Sequence, residues 1–391
     1  MQEDKTVCFF PWLSSSESAS FSGFQLIPYP GDDPGRFTQE DVATIEWATQ
    51  GFLVARLATR FRKTTLLVLD GKEPLDCLSE EEHRTAFAFA ELLAFCALTN
   101  RMFFFPLGGY CNRGAFQLVI QEVKGTDGSR GRTYTKRRRD GFTSVLDMDQ
   151  ERLILRPSHI EPPFSFPNQL DKELLEAVLG ARDKLPPDRW AQIWDSIVGF
   201  NLANTDSPEF TEHLEVVFLL GAFQRLLDCG SKMKALSAPL RKILQPHHDC
   251  LSGDVVRFSG KLSKDEQSFP VRDLWIRDFY EMRGEMAHGK RASDKRQLWT
   301  LHDHLLLGSF VFPLALKRVL SVEGLYDWTK DDARNLEAFE ALASEEHLSE
   351  ERGVIEPGDS CPWDETLQKF LFMDFQTIPL ETDPAPEEEE V

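Results

Sequence analysis

Arg283 and His288, an arginine and a histidine five positions apart, are the residues of this chain best suited to chemistry on a phosphodiester. Histidine titrates near neutral pH, and arginine presents a fixed fork of donors that matches phosphate oxygens. Together such groups can hold a phosphate and move its protons without a metal. Lys290 and Arg291 open a basic cluster, Lys290–Arg296, directly after His288, and could hold the flanking backbone.

Leu274, Phe279, Met282 and Met286 recur at helical spacing up to His288, and Gly289 follows as a helix-ending residue. His288 is therefore expected at a helix C-terminus, where unpaired carbonyls favour the imidazolium. Positions five apart lie roughly 140° apart around a regular helix, so one helix does not aim both side chains at one atom. Either the helix distorts at its end, or the site is assembled from two copies. Arg and His five apart also recur by chance, and a bundle histidine often serves only as a hydrogen-bonding residue.

The wider segment Asp278–Gly289 (DFYEMRGEMAHG) resembles the R-x-x-x-x-H motif of HEPN domains, with Tyr280 upstream, apolar residues interleaved and His-Gly at the end. Arg189–Leu227 resembles the preceding helices of Apea-like HEPN proteins. The resemblance covers roughly residues 170–320, under half of the chain. It implies an all-α bundle, a homodimer whose site forms where two motif helices meet, and metal-independent RNA cleavage in a bacterial toxin or phage-defence setting. In that reading Arg283 stabilises phosphate charge, while His288 deprotonates a ribose 2′-OH or protonates the leaving oxygen. Tyr280, Gln224, Lys290 and Arg291 contact substrate, no cofactor is needed, and a neighbouring antitoxin or defence protein is a possible partner. Relatives often carry a Glu where this chain has Gln224, which keeps an amide but supplies no charge. The alternative is an inactive HEPN module that dimerises or senses a ligand.

The elements that must position the motif divide at a proline-rich stretch, Pro157 to Pro167. Before it the pattern is α+β. A capping box at Thr38–Asp41 opens a helix expected to reach Arg60, Thr64–Leu69 is a strand, and a second box at Ser79–Glu82 opens a helix to about Leu98. Arg101–Phe105, Phe116–Val123 and Arg152–Leu155 are expected strands, and the Gly-rich basic segment Lys124–Arg139 is an expected loop. After it the pattern is helical over Leu170–Leu179, Asp188–Phe200, Glu209–Asp228, Ala238–Leu244, Asp273–Ala287 and Lys295–Leu320. The expected division is an α+β domain over 1–156, a linker over 157–167, a HEPN-like domain over 168–345 and an acidic extension over 346–391. Within that extension, Trp363–Phe375 is amphipathic.

A net charge of −20 opposes generic nucleic-acid binding, so any RNA contact has to rest on local basic clusters such as Arg130–Arg139. Apolar runs such as Ser309–Leu316 fall short of the ~20 residues of a membrane span, and no export signal opens the chain. Seven scattered cysteines without a C-x-x-C pair suit reduced thiols in a cytoplasmic protein. His247–Cys250 and His302–His304 lack ligand spacing for a metal, and no P-loop or nucleophile elbow is present.

Overall fold

The consecutive apolar residues Val7–Phe10, absent from the strands expected above, suit a strand covered on both faces. The computed structural model places it as β1 (Lys5–Phe10) inside a seven-stranded antiparallel sheet. The structure describes residues 4–30, 36–49, 52–54, 59–60, 64–99, 113–124, 130–137, 141–147, 154–155, 170–205, 210–229, 233–244, 270–287 and 298–344. Beside β1 lie β2 (Ala19–Phe21), β3 (Phe24–Tyr29), β6 (Thr64–Leu69), β7 (Val119–Lys124), β8 (Arg130–Arg137) and β9 (Gly141–Asp147). Their order is β2-β3-β6-β1-β7-β8-β9. A smaller sheet joins β4 (Phe52–Val54), β5 (Thr59–Arg60) and β10 (Ile154–Leu155). Gly23, at φ 82°, makes the tight turn between β2 and β3, a conformation that favours glycine.

Register explains the double burial of β1. Lys5 and Phe9 share one face, where Lys5 pairs with Asp41 of α1 (Gln39–Thr49) at 2.9 Å and Phe9 meets Phe52 edge-on at 5.3 Å. The ladders put Phe24 on the opposite face, stacked at 4.0 Å on Phe89 of α2 (Glu80–Leu98). Both predicted capping boxes are present: Thr38 and Asp41 exchange bonds ahead of α1, and Ser79 and Glu82 do so at α2.

The helical part comprises α3 (Lys172–Lys184), α4 (Pro187–Ala203), α5 (Glu212–Leu226), α6 (Met233–Ile243), α7 (Val271–Ala287), α8 (Leu301–Val322) and α9 (Lys330–Ser344). The fold is thus an α+β part followed by helices. The two parts share one core across α2, because Phe95 meets Phe200 of α4 at 5.2 Å and Phe312 of α8 at 6.2 Å. A buried ion cluster fastens the bundle. Lys317 of α8 pairs at 2.8 Å with Asp171, the N-cap of α3, and at 2.8 Å with Asp332 of α9.

Several sequence expectations need correction. The first helix stops at Thr49, well before Arg60, and Phe52–Val54 is a strand, because Phe52 packs between Phe9 and Trp12. The basic segment expected as a loop contains β8, hydrogen-bonded to both β7 and β9, so backbone pairing overrides its polar composition. The last long helix begins at Leu301 rather than Lys295, because Thr300 and Asp303 form a capping box. That helix, α8, does reach membrane-spanning length, with a mean hydropathy of 1.7 over its apolar window, but 61% of the window is buried inside the fold. Its apolar side chains fill the core. The expected strand Arg101–Phe105, the proline-rich boundary and Trp363–Phe375 lie outside the described residues.

Candidate functional site

The helix that carries the motif is α7, and its apolar stripe packs as its spacing predicts. Leu274, Phe279 and Met282 are buried, and Met286 packs against the same core. Arg283 falls four residues before Ala287, the last described residue of α7, and off that stripe, half-buried, with Nε enclosed and making no hydrogen bond among the described residues. Tyr280, three positions earlier and therefore on the same flank, is half-buried against the core. A Cβ added at Gly284, the next residue, would meet nothing within 4 Å. The helix surface at Gly284 is therefore uncrowded, and a half-buried guanidinium with an unpartnered Nε is suited to receive an anionic oxygen.

α7 is described as far as Ala287, the residue before His288 in the sequence. His288, Lys290 and Arg291 lie outside the described residues.

The residue that sequence reasoning passed over is Asp278. Its Oδ2 accepts hydrogen bonds from the backbone N–H of Leu298 and of Trp299, each at 3.1 Å, and lies 3.1 Å from His304 Nε2. The chain that leaves α7 after the motif is thereby tied back to α7 nine residues upstream, a return of roughly 13 Å along the axis. His304 is enclosed by aromatic rings, stacked on Phe279 at 5.0 Å, and Trp299 Nε1 donates to the Ala343 carbonyl at 3.2 Å. A buried acid inside an apolar helical stripe was the available signal, since such a charge must have partners.

Gln224 stands on α5, which packs against α7. Its carbonyl accepts from Cys229 N–H at 3.1 Å, its Nε2 is enclosed without a hydrogen-bond partner, and no bond links it to Arg283 among the described residues. Its neighbour Phe223 meets Trp275, two helical turns before Arg283, and Phe312. The Asp303 and His304 of the weighed metal cluster have other roles, one in the α8 cap and one against Asp278. Among the described residues no group of three or more His, Cys, Asp or Glu side chains could hold a metal. His247–Cys250 lies outside them.

Compared with protein-family models, with curated proteins and with solved structures, the chain matches none of them.

Proposed function

We propose that this protein is a metal-independent endoribonuclease of the HEPN type, acting in the cytoplasm as a homodimer in a toxin or phage-defence role. The observation that carries the reading is the Arg283–His288 spacing in the sequence, with Arg283 carried on α7 next to Gly284, where an added Cβ would meet nothing within 4 Å. Arg283 binds the scissile phosphate and stabilises the charge that builds on it, the task to which a planar fork of donors is fitted. His288 moves protons between the 2′-OH, the phosphate and the leaving 5′-oxygen. Two motif helices meeting across a twofold axis overcome the roughly 140° that separates the pair on one helix. Lys290 and Arg291 hold the flanking phosphates, which local basic charge must do against a net charge of −20.

A second reading has its own support. Gln224 brings no charge to the motif, and no hydrogen bond links it to Arg283 among the described residues, which favours an inactive module that dimerises or senses a ligand. Incubating the purified full chain with total RNA in EDTA separates the two. Cleavage that persists in chelator supports the nuclease, and intact RNA at micromolar protein supports the module.

A further inference from the structure

At the joint between the sheet and the helices lies a cavity of about 320 Å³, between α2 and the short helical turn Arg113–Phe116 that leads into β7. Its volume falls at the lower end of the roughly 300–1,000 Å³ typical of small-molecule sites. Phe87, Ala90, Ala94 and Phe116 supply apolar walls, and the small alanines leave the space open. Glu91 and Arg113 supply the charge, with side chains 13% and 32% exposed.

The polar wall is half satisfied. Arg113 Nε donates to Glu91 Oε2 at 3.1 Å and Nη2 donates to Oε1, so one edge of the guanidinium is fully engaged. Asn201 of α4 completes the carboxylate, its Nδ2 donating to Glu91 Oε2 at 3.0 Å and to the Glu91 carbonyl at 2.9 Å. The other edge of the fork, Nη1 with the second Nη2 proton, has no partner among the described residues. That edge offers two parallel donors. An anion there would meet the Glu91 charge close by, so the fork favours a neutral group with two adjacent acceptors. The aromatic and alanine walls favour a flat ring.

We infer that this cavity binds a 6-oxopurine nucleoside, with Arg113 reading O6 and N7 of the base as guanidinium groups read guanine. Gln117 stands at the rim, its Oε1 taken by Trp12 Nε1 at 3.4 Å and its amide N–H groups left for a ribose hydroxyl. Because Glu91 also holds Asn201, and Arg113 N–H donates to the Asn204 carbonyl at 3.2 Å, the ligand sits on the contacts that join α2 to α4. This site is separate from the Arg283 motif, and neither inference depends on the other.

Isothermal calorimetry on the full chain with guanosine, inosine, adenosine and 7-deazaguanosine tests it. Guanosine and inosine, which share O6 and N7, bind alike. Adenosine places a donor where O6 stood and 7-deazaguanosine lacks N7, and each binds at least tenfold more weakly. Arg113→Lys keeps the ion pair but loses the fork, and weakens guanosine at least tenfold; Ala90→Leu fills the space and removes binding. Guanosine giving no heat with folded protein, adenosine binding as tightly as guanosine, or Arg113→Lys binding unchanged would overturn the assignment. The nucleoside comparison needs no variant, so a variant that fails to fold does not shield the claim.

Discussion

Replacing Asp278 with alanine removes the anchor that returns the chain to α7 after the motif. The carboxylate accepts from the N–H groups of Leu298 and Trp299 and faces His304, and all three of these residues are buried. A buried donor left unpaired costs about 1–3 kcal/mol, and bonds to a charged acceptor lie at the upper end of that range. Losing three hydrogen-bonding contacts to one buried carboxylate therefore predicts a loss of about 3–5 kcal/mol. Against a total stability of about 5–15 kcal/mol this is a large share. Asp278→Asn keeps one acceptor oxygen and should lose roughly half as much. Urea unfolding followed by tryptophan fluorescence reads the effect directly, since Trp275 and Trp299 flank His304. An Asp278→Ala protein within about 1 kcal/mol of the parent would refute the claim that Asp278 organises this end of the bundle.

Two further expectations concern packing and charge. Lys317→Met should destabilise by about 3–5 kcal/mol, because it strands Asp332, 1% exposed, beside Asp171. Burial opposes ionisation of Asp332, but Lys317 and the Thr329 hydrogen bonds outweigh it and hold the carboxyl below its ordinary range. The stability from that depressed pKa is complete above about pH 4 and is lost as pH falls through the lower folded value, so the Lys317→Met penalty should be largest at pH 7 and shrink in acid. Chemical denaturation of both proteins across that range checks the sign. Gly308→Ala should destabilise by about 1–3 kcal/mol in thermal melts, because its Cβ would stand 2.6 Å from Leu219 Cδ2 in the core, an overlap that exceeds the ~1 kcal/mol gain in helix propensity.

Where sequence reading succeeded, the signal was local. The boxes at Thr38–Asp41 and Ser79–Glu82, the apolar strand Thr64–Leu69 and the stripe Leu274–Phe279–Met282 are each specified by residues a few positions apart, and each holds in the fold. Misreadings arose where distant partners decide. Arg130–Arg137 is a strand only because β7 and β9 flank it, and Phe52 leaves helical periodicity because Phe9 and Trp12 await it. At the site, the helix that carries Arg283 was legible from spacing. The tether from Asp278 to Leu298 and Trp299 was not, because it spans twenty residues and uses backbone donors that composition never displays. The cavity beside Arg113 was equally invisible, since it needs α2 and the turn before β7 to meet.

The central claim is that His288 and Arg283 cleave RNA by proton transfer and charge stabilisation, with the ribose 2′-OH as nucleophile. End-group analysis of RNA products in EDTA, with the parent protein and His288→Ala side by side, tests it most directly. The account predicts 2′,3′-cyclic phosphate ends from the parent, none from His288→Ala, and the same melting temperature for both proteins. Equal cleavage by the two proteins, or parent activity that disappears in chelator, would contradict it.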